Sequence, residues 1–282
     1  MSAIPRRCFT FWQGHNFSKL HYYTIYSLVK YNPNLEITVY TSTSVNEQVV
    51  TWTTDEHSID ITNRVPFSSI HNFGERVKIV PVDLQKEYGI SNEISVVHKA
   101  DFIRIAKLYE HGGVWFDFDI LFIRPIPDTI FEKTTTELFY FNLFFGEGTM
   151  LVIPTGFIAA RPKLPIVKKL LDCAMCEVMN SDSYQKIGPH LWTSVFIQHK
   201  DSLTNAEILD KNIVYPYTDN QVEELVTSGS LDRVKPNTIG IHWFNGSVHI
   251  KRFINRDRRT ILYPSRCPLN NYMRLVETEP FP

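Results

Sequence analysis

The segment from about Ile94 to Asp119 constrains the fold of this chain more than any other. Val97, Phe102, Ile105, Ala106, Leu108 and Tyr109 recur at helical spacing. His111-Gly112-Gly113 then supplies a C-terminal stop. Val114-Trp115-Phe116 follows as a short, dense strand that runs directly into Asp117-Phe118-Asp119. Strands that alternate with helices in this way imply an α/β fold, with a mainly parallel sheet flanked by helices. Ligands of such sheets bind outside the carboxyl ends of the strands, and the two aspartates lie at such an end.

Other elements extend the pattern. Cys8 to Trp12 reads as a first strand, closed by Gln13-Gly14. Ser18 is positioned to cap a helix that runs to about Tyr31, with Leu20, Tyr23, Ser27 and Leu28 near one face and Asn32-Pro33 as its stop. Ile37 to Tyr40 and Val77 to Val82 are further strands; the polar region from Ser42 to Gly74 suggests a helix plus a surface loop. Beyond Pro125 the expected elements are strands over Glu137–Phe145 and Leu151–Ala160, then helices over Leu164–Met179 and Gly188–His199. Late strands are expected at Ile213–Pro216 and Thr238–Trp243. No internal repeat or linker interrupts the chain, so a single domain over 1–282 with a variable C-terminal half is expected.

Composition narrows the function classes. Hydrophobic residues at 43% and charged residues at 21% are those of an ordinary globular chain. A formal net charge of −1 gives no global field that would recruit nucleic acid or an acidic membrane. No apolar stretch reaches a membrane span, and the N-terminus lacks the apolar core of a signal peptide. The expectation is a cytoplasmic protein, bacterial or virally encoded, of undetermined oligomeric state. The spacing of Cys173 and Cys176 could suggest redox or zinc chemistry, but no second Cys/His pair accompanies it. Both are expected to be half-buried free thiols, and the sequons at Asn16 and Asn245 to be chance matches.

The acid pair carries the chemistry. Residues two apart in extended chain point to one side, so Asp117 and Asp119 present paired oxygen ligands. Such ligands suit a hard divalent cation, Mn²⁺ or Mg²⁺, which acts as a Lewis acid on a leaving diphosphate. A chain of this length holds roughly one D-x-D by chance, so the preceding helix, double glycine and strand give this one its weight. Asp101 and Arg104, at i and i+3 on that helix, share a face. They form either a surface ion pair or a pair of polar groups turned toward a bound ligand.

The run Ala100-Asp101-Phe102-Ile103-Arg104-Ile105-Ala106-Lys107-Leu108-Tyr109-Glu110-His111-Gly112-Gly113-Val114-Trp115-Phe116-Asp117-Phe118-Asp119 closely resembles the signature of the DXD sugar-transferase family. That family includes initiating α-1,6-mannosyltransferases, α-1,4-galactosyl- and N-acetylglucosaminyltransferases, and the glucosylating domains of large clostridial toxins. Weaker echoes are Phe11-Trp12-Gln13-Gly14, Asn32-Pro33-Asn34-Leu35-Glu36, Ile187-Gly188-Pro189-His190-Leu191-Trp192-Thr193 and Ile241-His242-Trp243-Phe244-Asn245-Gly246-Ser247. The resemblance implies a GT-A-like, Rossmann-type sheet. It also implies transfer of a hexose or related sugar from a nucleotide-sugar, a UDP-sugar ahead of a GDP-sugar, to a glycan or other hydroxyl acceptor with retention at the anomeric carbon.

By the same resemblance Asp119 is a direct metal ligand, and Asp117 contacts ribose and metal. Asp101 and Arg104 hold the donor sugar. Trp12 stacks on the base and Trp115 belongs to the donor site. His242 and Ser247 close the metal–diphosphate site, with His242 a further candidate ligand. Residues 1–125 form the nucleotide-sugar-binding half and 126–282 the acceptor-side half with the segment that closes the site. Thr155 to Pro162 departs from the family pattern, which leaves the acceptor side open. Lys251, Arg252, Arg256, Arg258 and Arg259 either brace the diphosphate or form a solvated face.

Two rival readings remain. Asp117 to Leu121 resembles the opening motif of haloacid-dehalogenase phosphotransferases, with Asp117 as nucleophile and Asp119 as acid/base. That motif opens a first strand and is followed by a G-D-x-x-x-D run; neither holds here. The other rival is a non-catalytic carbohydrate-binding protein that keeps the fold.

Overall fold

The computed structural model describes residues 3–43, 64–145, 150–180, 183, 185–227, 230–255 and 267–278. The chain opens with β1 (Arg7–Trp12), the short β2 (Asn16–Ser18), α1 (Lys19–Tyr31) and β3 (Glu36–Ser42). It continues through β4 (Arg64–Pro66), β5 (Val77–Val82), α2 (Leu84–Tyr88) and α3 (Val96–His111). Next come β6 (Gly113–Phe116), β7 (Ile120–Phe122) and α4 (Asp128–Glu132). The second half holds β8 (Leu138–Phe141), β9 (Leu143–Phe145), β10 (Met150–Val152), β11 (Phe157–Ala160), α5 (Pro165–Glu177) and α6 (Leu191–Gln198). It ends with β12 (Ala206–Leu209), α7 (Val222–Val226), β13 (Gly240–His242), α8 (Val248–Asn255) and α9 (Pro268–Thr278).

One seven-stranded sheet organises these elements in the order β12-β8-β11-β6-β1-β3-β5. Its pairings are parallel except at β11, which runs against both β6 and β8. The sheet is therefore mainly parallel, as the α/β pattern predicts, and it draws strands from both halves of the chain. The chain reverses its direction of growth between β1 and β6, the kind of switch point at which a crevice opens above strand ends.

Side-chain alternation explains how the sheet is covered. Phe9, Phe11 and Trp115 enter a core with Phe102, Ile105, Val167 and Trp192, from α3, α5 and α6. Cys8, Val114 and Phe116 face the other way, onto Ile25, Leu28 and Val29 of α1. A third cluster packs α7, α8 and α9 around Trp243 and Tyr217. Among the described residues no helix is long and apolar enough to cross a membrane.

The local signals near the acid pair hold well. Ser18 caps α1 in a reciprocal capping box with His21. Ser95 caps α3, and its C-cap Gly112 has φ 62°, followed by Gly113 at φ 113°. A Cβ at Gly112 would meet Pro162 at 2.5 Å and one at Gly113 would meet Arg7 at 2.5 Å, so both positions require glycine.

Several expectations are corrected. Glu137–Phe145 is not one strand but β8 and β9 with a break at Asn142, and Leu151–Ala160 divides into β10 and β11 around Pro154. Helix over Gly188–His199 begins as a π turn at Lys186–His190 before α6, because Gly188 departs from α geometry and Pro189 supplies no backbone N–H. Ile213–Pro216 forms no strand: Lys211–Ile213 is a 3₁₀ turn that leads into irregular chain. Cys173 and Cys176 are free as expected, but exposed rather than half-buried, since α5 turns Leu170 and Ala174 to the core. Most of the helix-plus-loop region expected over Ser42–Gly74 lies outside the described residues, as do Arg256, Arg258 and Arg259; residues 67–76 are a kinked 3₁₀ segment.

Candidate functional site

Three neighbouring strands, β1, β6 and β11, converge on one end of the sheet. The outgoing ends of β1 and β6 lie beside the incoming end of β11, and Asp117 N continues the pairing by donating to Gly156 O at 2.7 Å. A cavity of about 1110 Å³ opens there. Its lining includes Trp12, Asp101, Arg104, Trp115, Asp117 and Asp119, together with His242 and Ser247 from the distant C-terminal part. The structure thus brings these eight sequence-predicted residues to one cavity.

The acidic centre is built by register. Asp119 precedes β7, and β13 pairs with β7 so that His242 sits opposite Ile120. Trp243 N donates to Asp119 O at 2.8 Å and Asn245 N to Asp119 Oδ2 at 2.9 Å. His242 Nε2 comes within 3.1 Å of Asp119 Oδ1. Asp117, Asp119 and His242 offer ligand atoms all within 4.8 Å of one another. Two carboxylates and an imidazole in that span fit a divalent cation, and the set leaves positions for ligand oxygens.

Electrostatics couple these groups. Burial of Asp119 works against ionisation, yet the His242 imidazole and the Asn245 amide outweigh it and hold the carboxyl below its ordinary value. Burial likewise opposes charging of His242, but Asp119 and, more distantly, Asp117 carry the imidazole above its ordinary value. His242 Nδ1 is buried without a hydrogen-bond partner among the described residues.

Arg104 ties the helix to the acids. Its guanidinium donates to Asp101 Oδ1 and, at 2.9 Å, to Asp117 Oδ1, and it lies over the Trp115 ring at 4.9 Å. The pair Asp101–Arg104 is therefore not a surface ion pair: both residues are buried. Burial pushes the Asp101 carboxyl up while Arg104 pulls it back. Burial also disfavours the Arg104 charge, but Asp117 and Asp101 together raise its pKa. Trp115 is buried and donates from Nε1 to Asp117 Oδ1 at 2.7 Å, so its ring supports the acid pair from beneath.

Close approaches are met by glycine. A Cβ at Gly188 would fall 2.7 Å from Asp101 Oδ2, and one at Gly156 would fall 2.8 Å from the Tyr215 hydroxyl and 3.1 Å from His242 Nε2. Trp12 lies in the cavity wall, against His21 at 4.7 Å and Phe118 at 5.1 Å between ring centroids. Ser247 lines the cavity, and its hydroxyl accepts from His249 N at 3.3 Å.

Sequence reasoning missed several groups. Tyr215 is buried beside His242, with ring centroids 5.2 Å apart; burial, then Asp117 and Asp119, push its hydroxyl well above the ordinary value. Asn245 acts through its backbone amide, which no side-chain pattern signals. Phe244, at φ 53°, lies edge-on to His242 at 4.3 Å and fixes the turn that presents that amide.

Residues 18–137 match the family described as glycosyltransferase sugar-binding region containing DXD motif. The matched region covers less than half of the chain. This region includes Asp101, Arg104, Trp115, Asp117 and Asp119; the later residues of the centre lie outside the match. The chain is 25% identical over 165 residues to O-glycosyltransferase PaGT of Phomopsis amygdali, which covers 56% of this chain and 39% of that protein. It thus spans well under half the length of that curated relative.

Similar solved structures include PaToxG glycosyltransferase, at 17% identity and a TM-score of 0.49 over 72% of each chain. The apo-form glycosyltransferase GlyE of Streptococcus pneumoniae TIGR4 is similar at 14% identity and a TM-score of 0.49, over 96% of this chain and 63% of that one. The galactosyltransferase LgtC is similar at 11% identity and a TM-score of 0.42, over 97% of each chain.

Proposed function

We propose that the chain is a metal-dependent, retaining glycosyltransferase that moves a hexose or related sugar from a nucleotide-sugar to a hydroxyl of a glycan or other acceptor. The observation that carries this reading is the meeting of Asp117, Asp119 and His242 within 4.8 Å, in the cavity that also holds the Asp101–Arg104 pair. A UDP-sugar is favoured over a GDP-sugar as donor, and residues 1–282 act as one unit in which the C-terminal segment closes the donor site.

Asp119, Asp117 and His242 are the proposed ligands of the cation. The imidazole favours Mn²⁺ over Mg²⁺, which prefers an all-oxygen shell. A cation there would supply Lewis-acid stabilisation to the departing diphosphate. Arg104 fixes Asp101 and Asp117 and adds positive charge beside them, so the groups facing the reacting sugar are oriented before it arrives. The second Asp101 oxygen is proposed to accept from donor-sugar hydroxyls, and Trp12 to stack on the base. Ser247 and the loop around Asn245 close over the diphosphate. Retention needs no enzyme nucleophile, because the leaving phosphate itself can take the acceptor proton on the same face.

The test is a panel of nucleotide-sugars with Mn²⁺, read as donor hydrolysis. The expected result is metal-dependent turnover that Asp119→Asn reduces by about 10³-fold or more while the chain still folds cooperatively. Full activity of that variant would sink the assignment.

A further inference from the structure

Lys99 is buried on α3, and its ammonium makes one hydrogen bond among the described residues, from Nζ to Gln13 Oε1 at 2.9 Å. Gln13 follows Trp12 at the end of β1 and lines the cavity. An ammonium only donates, so it must face the oxygen of an amide and never its nitrogen. The Gln13 side chain is thereby fixed in one sense: Oε1 is used from behind, and the Nε2 donor is left for whatever occupies the cavity beside Trp12. Placing a lysine in a dry position has a desolvation cost, and among the described residues it is not matched by an ion pair within hydrogen-bond reach. What the arrangement provides is a defined polarity at the cavity wall.

We infer that Lys99, acting through Gln13, selects the base of the nucleotide donor, and that it selects bases with an oxo group at the recognised edge over those with an amino group. This rests on the reading of the cavity as a nucleotide-sugar site. Trp12, Val96 and Ala100 line the same cavity and offer apolar surface but no side-chain acceptor. An oxo group of uracil accepts from Gln13 Nε2. The amino group of cytosine would place donor against donor and leave both unpaired, a mismatch on the order of tenfold to a hundredfold in affinity. Lys99 is thus a positioning residue and Gln13 the group that meets the base.

Paired ligands that differ at this edge test the idea: UDP against CDP, and GDP against ADP. Each is titrated calorimetrically with Mn²⁺ into the whole chain. The expected result is binding of UDP at least about tenfold tighter than CDP, with GDP ahead of ADP. In Gln13→Glu both side-chain oxygens accept, so the UDP/CDP preference should invert. In Lys99→Met the amide is free to turn, and the preference should collapse toward unity while other features of binding persist. A purely structural Lys99 would shift the melting temperature without moving that ratio. Equal binding of UDP and CDP by the unaltered protein, or an unchanged ratio in Gln13→Glu, would overturn the inference. If Lys99→Met does not fold, Gln13→Glu decides alone, because its side chain lies at the cavity surface. Failure of all four nucleotides to bind would instead overturn the donor-site reading and this inference with it.

Discussion

The two walls of the cavity are built on opposite principles. One wall, from β1, β6, α3 and the turn after β13, holds Asp101, Arg104, Asp117, Asp119 and His242, interlocked by direct bonds and largely buried. The other comes from β9, β10 and α6, where Leu143, Met150, Leu151, Val152 and Ile197 face the same space. There Met150 is 58% exposed and Ile197 56%. Preorganised charge has to be held by a rigid, desolvated frame, because each buried charge without its partner is expensive. An apolar wall has no such requirement and can remain open to solvent. The difference teaches that the position of charge is set on one side only.

If that contrast is right, perturbations of the charged wall should cost stability as well as activity. Arg104→Met leaves the buried Asp101 without its partner and removes a bond to Asp117. Chemical denaturation should show a loss of about 3–5 kcal/mol; a loss below about 1 kcal/mol would mean the pair is solvated after all.

His21, which packs behind Trp12, sharpens the contrast through pH. Its Nδ1 accepts from Ser18 N at 3.1 Å, and burial, opposed only by the Asp119 charge, lowers its pKa to about 4. The folded value is depressed below the unfolded one, so the unfolded chain takes up the proton first. Stability should be unaffected by this group above about pH 6.5 and fall by about 3 kcal/mol as the pH drops from there to about 4. His21→Gln should lack that portion of the slope in denaturation curves taken across the range.

The smallest effect is expected on the apolar wall. Met150→Gln and Ile197→Gln should change stability by no more than about 0.5 kcal/mol and leave donor hydrolysis within about twofold. A large drop in donor hydrolysis in either variant would break the division between the walls.

Legibility in the sequence follows the same line. The helix, double glycine and strand around the acid pair were readable because the signals are local: a 3.6-residue period, a positive-φ stop and a dense apolar run. Asp101 and Arg104 were readable as neighbours because they lie one turn apart, though their burial was not, since it depends on Gly188 approaching from α6's leading turn. Tyr215 was hidden inside an expected strand that proved irregular, and its position follows from the long-range bonds that its neighbours Ile213 and Val214 accept from Ile239 N and His242 N, which no local pattern encodes. The Asn245 amide and the reversed strand β11 were equally out of reach, because both arise from long-range register. Lys99 and Gln13 looked like an unremarkable helix residue and a turn residue; only the fold makes them partners.

The central claim is that Asp117, Asp119 and His242 form one cation site for a nucleotide-sugar. Its most direct test is Mn²⁺ binding followed by electron paramagnetic resonance, with and without UDP, in the unaltered chain and in Asp119→Asn and His242→Ala. The account predicts one site that UDP tightens, lost in Asp119→Asn and weakened about tenfold or more in His242→Ala. Undiminished Mn²⁺ binding in Asp119→Asn would contradict it.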